Sequence, residues 1–295
     1  MISKTIIIII IIIITIITII IIVGIYNIYN KIHNNIKDPI DLDNVEFINK
    51  CMQFYNSSRV INLMVNNVLF SSNIWRTEFT FTHNNKTINE IDYLIELGNI
   101  KNNIVLDFGC GLASTAIKLS KEHGCKVYGL NISDVQIELS NKQIKEEQLE
   151  DKIKLYLYDG ITIPTFPEKF DRIIYQESMC HVYNKDSIIK QLVNNLNPGG
   201  IIVGQDWIKK EKKNTSNIDD INKEWKTKIS SFEEYKSLYE KYNMKVVQLI
   251  DASELPNNTI YKYKSQKPCV NHKNPILNAY KNGEFTIGFI KCIKI

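Results

Sequence analysis

At residues 105–113 the chain carries the run Val-Leu-Asp-Phe-Gly-Cys-Gly-Leu-Ala. Residues 103–108 form a short apolar segment of the kind that a parallel sheet buries on both faces. Gly109 and Gly111 allow positive φ and a close approach of the backbone to a ligand, and helical spacing begins after them. The run therefore predicts a strand, a tight turn and a helix whose N-terminus suits a nucleotide-like ligand with an anionic group.

Three interpretations of this turn are open. It can be an ordinary strand–turn–helix connection. A dinucleotide-binding turn would have the pattern G-x-G-x-x-G, but Ser114 occupies the third glycine position. The pattern D-x-G-x-G-x-[GA], from Asp107 to Ala113, instead resembles the first motif of class I S-adenosylmethionine-dependent methyltransferases, of the small-molecule type 11 and sterol-C-methyltransferase kind.

Strands and helices alternate after the turn, and Ser133 is a predicted N-cap of the long helix that follows the second strand. Such alternation implies right-handed crossovers and an α/β, doubly wound, mostly parallel sheet. The resemblance implies a Rossmann-like sheet of seven strands with an antiparallel last strand. The predicted strands are 103–108, 125–130, 154–158, 170–175, 201–207, 245–250 and 285–293. Residues 251–284 are either a lid over the substrate or a decorative insertion.

Helices are also predicted ahead of the sheet. Residues 45–75 have the pattern of one or two helices. Thr87 is a candidate N-cap, with Glu90 at the third helical position of a capping box, for a helix that ends near Leu97.

The N-terminal segment 5–23 is almost all isoleucine and carries no charge. A helix of that length spans roughly 30 Å, the thickness of a bilayer core, and no small-residue cleavage site follows it. We therefore predict a membrane anchor at 1–25, a polar linker at 26–43 and a methyltransferase domain at 44–295. The alternative is a low-complexity accident of a repeated codon.

Charge and cysteine usage narrow the possible partners. The slight excess of lysine after the apolar segment predicts a single-pass protein with a cytosolic catalytic domain. The net charge is only +4, without a basic tract interleaved with aromatics, which argues against a nucleic-acid partner. The six cysteines form no C-x-x-C pair, so we predict buried, reduced thiols and no metal site.

The resemblance implies S-adenosylmethionine as cofactor. The glycine turn and Asp107 would hold its methionine end, Asn131 would replace the acid that usually binds the ribose, and Asp159 would accept from the adenine amino group. Asp159 can alternatively cap a turn. The implied cofactor-binding residues are Asp107, Gly109, Gly111, Asn131, Ile132, Gln136, Asp159, Gly160 and Gln176.

Candidate catalytic residues follow the fourth and fifth of these strands. The run Gln-Glu-Ser-Met-Cys-His-Val at 176–182 resembles the E-A-T-C-H stretch of sterol C-methyltransferases, and residues 205–207 resemble their acid–tryptophan step. His181 would take up a proton, and Glu177 or Asp206 would stabilise a developing cation. His181 can alternatively serve only to order its loop.

Three aromatic residues are candidate substrate contacts: Tyr55, Trp75 and Trp207. Tyr55 lies in a Phe-Tyr-Asn run that resembles the "YYD"-like start of small-molecule methyltransferases. The Y-E-Y-G-W signature of sterol enzymes is missing at 70–75, which leaves the substrate open. We expect a membrane-anchored methyltransferase that acts on carbon or nitrogen of a small, apolar, lipid-like or isoprenoid acceptor. The alternatives are a catalytically silent scaffold with this fold and an NAD-dependent oxidoreductase.

Overall fold

One sheet of seven strands organises the chain, and its strand Ile104–Phe108 leads directly into the glycine turn. The computed structural model describes residues 42–57, 61, 79–210, 216–259 and 275–295. A two-stranded hairpin precedes the sheet. The strands are β1 Thr80–His83, β2 Lys86–Asn89, β3 Ile104–Phe108, β4 Lys126–Asn131, β5 Ile153–Leu157, β6 Phe170–Gln176, β7 Leu196–Lys209, β8 Met244–Asp251 and β9 Phe285–Lys294.

The strand order across the large sheet is β5-β4-β3-β6-β7-β9-β8. The first five strands in this order are parallel neighbours, and β9 is antiparallel to both β7 and β8. The predicted Rossmann-like α/β sheet, mostly parallel with an antiparallel edge, is thereby confirmed. The chain order reverses between β3 and β6, and ligands of open α/β sheets bind at such a switch point, outside the carboxyl ends of the strands.

Helices cover both faces of the sheet. Leu94 and Leu119 belong to the buried cluster on one face, and Leu192 and Tyr239 belong to the cluster on the other. The Ser133 hydroxyl accepts a hydrogen bond from the Gln136 N–H at 3.2 Å, so this predicted N-cap is present. The helices are α1 Leu42–Asn56, α2 Glu90–Gly98, α3 Ser114–His123, α4 Asp134–Glu146, α5 Lys185–Asn194, α6 Ser216–Trp225, α7 Phe232–Lys241 and α8 Pro275–Lys281.

The capping box predicted at Thr87 is wrong. Thr87 lies in β2, where it pairs with Thr82 of β1 in a hairpin that the sequence analysis missed. The N-cap of α2 is Asn89, whose side-chain oxygen accepts from the Asp92 N–H at 2.8 Å. Glu90 is consequently the first residue of the helix, not its third helical position.

The chain divides into two units, residues 1–45 and 46–295. The described part of the first unit, residues 42–45, is helical, and the second unit holds the sheet. Within the described ranges, no helix has both the length and the apolar character needed to cross a bilayer. The predicted anchor at 5–23 lies outside those ranges. The five cysteines that the structure describes are buried and free: Cys51, Cys110, Cys125, Cys180 and Cys292.

Gly204 on β7 is required by the tyrosine beside it. Gly204 pairs with Tyr175 on β6, and a Cβ atom on Gly204 would lie 1.9 Å from the Cζ atom of the Tyr175 ring. The Tyr175 side chain is fully buried, and its hydroxyl accepts from the Tyr239 hydroxyl at 3.2 Å. The ring therefore has no room to move away from a larger residue at position 204.

We predict that Gly204→Ala lowers the free energy of unfolding by about 3 kcal/mol, because it overpacks a close-packed core. The matched control is Gly199→Ala, where φ is +71° and no atom lies within 4 Å of the added Cβ. That control should cost only about 1–2 kcal/mol of backbone strain. Urea unfolding compares the two variants, and equal losses would show that Tyr175 does not restrict position 204.

Candidate active site

The glycine turn lies where β3, β4 and β6 end. The backbone N–H groups of Gly109 and Cys110 both donate to the Leu130 carbonyl, each at 2.9 Å. The Ser178 hydroxyl donates to the Phe108 carbonyl at 2.6 Å. The turn is thereby fixed to the end of β4 and to the loop after β6.

The two glycines of the turn serve different purposes. A Cβ atom on Gly109, where φ is +78°, would lie 2.3 Å from the Cβ atom of Ser178, so this glycine permits the packing of the next loop. At Gly111, where φ is +54°, the nearest atom to an added Cβ would be Gln136 Oε1 at 3.9 Å. Gly111 therefore faces open space, and it is the position where a ligand can approach the backbone.

Asn131 and Gln136 lie beside Gly111, as the resemblance implied. The Asn131 Nδ2 atom donates to the Gly111 carbonyl at 3.1 Å and to Gln136 Oε1 at 2.9 Å. Both side chains are buried, and Ile132 between them is half-buried. Asp107, also buried, is the next-to-last residue of the neighbouring strand β3. The structure thus brings Asp107, Gly111, Asn131, Ile132 and Gln136 together at the carboxyl ends of β3 and β4.

Asp159 caps the turn that follows β5. Its Oδ1 atom accepts from the N–H groups of Ile161 at 2.8 Å and Thr162 at 2.6 Å, while the side chain is exposed. Asp159 therefore caps a turn in the structure, as the alternative interpretation of this residue proposed. The adjacent Gly160, where φ is +80°, lies so close to helix α1 that a Cβ atom would be 2.8 Å from the Ile48 side chain.

Gln176 contacts a buried carboxylate that the sequence analysis did not assign to the site. Its Nε2 atom lies 3.5 Å from Glu90 Oε1, and Glu90 Oε2 accepts from the Phe79 N–H at 3.2 Å. Helix α2 precedes β3 and runs back along the sheet, so its first residue lies at the carboxyl ends of the strands. That position is the signal that could have identified Glu90 as a site residue.

His181 lies in the short 3₁₀ turn Met179–His181 after β6. Its Nδ1 atom is 2.9 Å from the Lys226 carbonyl, which can only accept, so Nδ1 carries the proton. Nε2 is then an acceptor, and the Tyr55 hydroxyl donates to it across 2.7 Å. Burial lowers the pKa of His181 to about 4, which keeps the ring neutral near pH 7.

Tyr55, a predicted substrate contact, is thereby paired with the predicted base. Burial raises the pKa of the Tyr55 hydroxyl well above its ordinary value, so it remains a donor. The two rings meet edge to face, with their centroids 5.2 Å apart. Trp75, another predicted substrate contact, lies outside the described residues.

Glu177 is held at the end of β6 in an uncommon backbone conformation, with φ at +49°. Its N–H donates to the Gln205 carbonyl at 2.8 Å, and the Gln205 Nε2 atom donates to Glu177 Oε1 at 3.2 Å. Strained backbone of this kind is concentrated at functional sites. Glu177 is half-buried and stays in the same loop as His181.

Asp206 is placed differently from the other predicted catalytic residues. It is fully buried, its Oδ2 accepts from the Tyr235 hydroxyl at 2.7 Å, and its Oδ1 accepts from the Trp207 N–H at 2.8 Å. Burial raises the pKa of this carboxyl group. The predicted role of Asp206, to stabilise a developing cation, stays a prediction, and its side chain is directed towards Tyr235 on α7.

Aromatic rings form a wall beside the loop that holds Glu177 and His181. Trp207 is buried, with its ring centroid 6.0 Å from that of Trp225 and 5.6 Å from that of Phe285. Trp225 in turn contacts Phe54, the neighbour of Tyr55, at 6.4 Å. Within the described ranges, no three His, Cys, Asp or Glu side chains are arranged to hold a metal ion.

Comparisons with known proteins agree with this geometry. A family model described as a methyltransferase domain matches residues 99–257, more than half of the chain. Methyltransferase GfsG of Streptomyces halstedii is 29% identical over 159 residues, which cover 51% of this chain and 55% of that protein. Sterol 24-C-methyltransferase of Kluyveromyces lactis is 29% identical over 126 residues, which cover 42% of this chain and 34% of that protein. The match thus spans between a third and about half the length of these relatives.

The fold is shared with solved structures at lower identity. Geranyl diphosphate C-methyltransferase from Streptomyces coelicolor A3(2) superposes with a TM-score of 0.62 at 16% identity, over 70% of this chain and 77% of that one. The superposition shows a shared fold only, whereas the match to the family model is a match of sequence. The chain belongs to the methyltransferase domain family, which confirms the family predicted from its glycine turn.

Proposed function

We propose that this chain is an S-adenosylmethionine-dependent methyltransferase that acts on a small, lipid-like acceptor, with His181 as the general base. The observation that carries the proposal is the open space beside Gly111, which Asn131 and Gln136 border at the switch point of the sheet. Membership of the methyltransferase domain family supports it. An NAD-dependent oxidoreductase is disfavoured by Ser114 in the turn.

The residues around the turn fit this cofactor. Backbone groups at Gly109 and Gly111, together with Asp107, would hold its amino-acid end, and Asn131 with Gln136 would hold the ribose. Ile132 and the loop at Asp159 and Gly160 would lie against the adenine. When bound, the cofactor supplies an electrophilic methyl group on a sulfonium centre. The protein contributes alignment of the acceptor and exclusion of water.

His181 is prepared to accept a proton because its ring is neutral near pH 7. The Nδ1–H bond to the Lys226 carbonyl fixes the ring and leaves Nε2 as the basic atom. A proton from the acceptor reaches Nε2 by way of the Tyr55 oxygen, or directly once that hydroxyl has turned aside. After transfer, the Lys226 carbonyl stabilises the imidazolium that has formed.

The acceptor is proposed from the surroundings of His181 and from the relatives. Phe54, Trp207 and Trp225 provide an aromatic wall for an apolar molecule. Relatives named for a sterol and for geranyl diphosphate support an isoprenoid or other lipid-like acceptor. Glu177, half-buried beside this wall, would stabilise positive charge that develops on the acceptor.

We predict that Gly111→Ala weakens S-adenosylmethionine binding by at least about tenfold, because its Cβ occupies the space that the ligand needs. Isothermal titration calorimetry measures the affinity. Gly199→Ala is the matched control, since it places the same side chain at a similar positive φ far from the turn. Unchanged affinity in Gly111→Ala would place the cofactor elsewhere.

We predict that His181→Ala lowers turnover by about 10²–10⁴-fold with little change in cofactor affinity, since it removes the base and leaves the glycine turn intact. The pKa of about 4 implies that wild-type turnover falls only as pH drops towards 4, not near the ordinary histidine value. Methyl-label transfer to extracted lipids measures both. A variant with the wild-type rate and pH profile would remove His181 from the mechanism.

The sequence also supports a membrane-anchored enzyme, with an anchor at 1–25, a linker at 26–43 and the catalytic domain, 44–295, in the cytosol. We predict that the full chain stays in the membrane pellet after carbonate extraction, because the 19-residue apolar segment 5–23 is long enough to span a bilayer as a helix. A variant lacking residues 1–25 should move to the supernatant. Release of the full chain by carbonate would exclude a spanning anchor.

A further inference from the structure

Lys185, the first residue of α5, has an ammonium group that is almost completely buried. The residue is 5% exposed, and its Nζ atom donates to the Val182 carbonyl at 3.0 Å and to the Lys228 carbonyl. Burying a lysine is costly unless its charge is compensated by hydrogen bonds and nearby charges. A buried lysine therefore indicates a structural or functional role for its ammonium group.

The two carbonyl groups belong to the two segments that hold His181. We call residues 178–184 the histidine loop and residues 226–230 the facing segment. The Lys228 N–H donates to the Cys180 carbonyl at 2.7 Å, and His181 Nδ1 donates to the Lys226 carbonyl at 2.9 Å. Lys185 adds a third connection, and it reaches both segments with one atom.

On the solvent side, a cation–aromatic contact also joins the histidine loop to the facing segment; we call the region where these two segments meet the junction. The Lys228 ammonium lies 4.0 Å from the centre of the Tyr183 ring, and that ring lies 5.4 Å from Phe47 on α1. The exposed contact involves the Lys228 side chain, whereas the buried one involves its backbone carbonyl. Lys185 is therefore the internal member of the junction.

We propose that Lys185 is a positioning residue for His181: its ammonium joins the histidine loop to the facing segment and so keeps the Lys226 carbonyl against Nδ1 of the ring. The catalytic consequence rests on the function proposed above for His181. The effect of Lys185 on the His181 ring is independent of that function and can be observed without any acceptor.

The charges around Lys185 fit this role. Burial lowers the pKa of Lys185 to about 8, with a further lowering from Lys228, while Asp206 on β7, Cys180 in the histidine loop and Glu234 on α7 favour its charged form. Towards His181 the ammonium acts as a like charge that disfavours protonation of the ring. Tyr55 from α1 meets the other side of that ring as a neutral donor. Near pH 7 the lysine is therefore charged and the histidine is not.

The first test is nitrogen-15 NMR of the imidazole ring in the full wild-type chain. We expect the Nδ1–H tautomer and a ring that stays neutral down to a pH near 4. In Lys185→Met, which removes the charge and the donors at similar length, the tautomers should mix as the Lys226 carbonyl moves away from Nδ1, and the pKa of His181 should rise. An Nε2–H tautomer in the wild type, or an unchanged ring in a folded Lys185→Met, would overturn the proposal.

The second test is kinetic and separates this proposal from the proposed function. Lys185→Met should lower turnover by about tenfold or more with cofactor affinity unchanged, and Lys185→Arg should restore part of it. Lys190→Met, an exposed lysine on the same helix, is the control and should behave as wild type. If NMR shows the expected ring changes but turnover is unaffected, His181 is not the base and the proposed function fails, while the positioning role of Lys185 stands. If Lys185→Met does not fold, Lys185→Gln takes its place in both tests, and an unchanged ring in that folded variant overturns the proposal.

Discussion

The candidate site depends on one carbonyl group, that of Leu130 at the end of β4. It accepts hydrogen bonds from two consecutive N–H groups, those of Gly109 and Cys110, and so fixes the direction in which the chain leaves β3. Ser178 fixes the same turn from the other side through the Phe108 carbonyl. These bonds join three strand ends at the switch point, and Gly111 with its neighbours Asn131 and Gln136 lies beside them.

The sequence was sufficient to predict the parts of the fold that local patterns specify. The apolar runs and the glycine turn predicted the seven strands of the large sheet along the chain, and Ser133 predicted the start of α4. The β1–β2 hairpin was missed because its strands have only four residues each, and Thr87 there also suits a helix cap. The requirement for glycine at position 204 was not predictable, because it comes from the ring of Tyr175 on a neighbouring strand.

In the candidate site, too, local patterns were predictable from the sequence, whereas contacts between elements were not. The resemblance named Gly111, Asn131 and Gln136, and the structure places them side by side. Gly111 lies in the turn after β3, Asn131 ends β4, and Gln136 lies in the first turn of α4. The resemblance did not indicate the direction of the Asp206 side chain, because successive side chains of a strand point to opposite faces. Gln205 bonds to Glu177 on one face of the sheet, while Asp206 bonds to Tyr235 on the other. A motif of adjacent residues does not reveal which member faces the ligand.

Helix α1 contacts the loops that follow three different strands. Asn56 bonds to Ser133 after β4 at 2.6 Å, Ile48 packs against Gly160 after β5, and Tyr55 bonds to His181 after β6. A helix is stiff over this length, so these contacts break together rather than one by one. Exchange of the nucleotide and exchange of the acceptor would then share one opening event. The residence times of the two products on the enzyme would be coupled to the rate at which this single helix leaves.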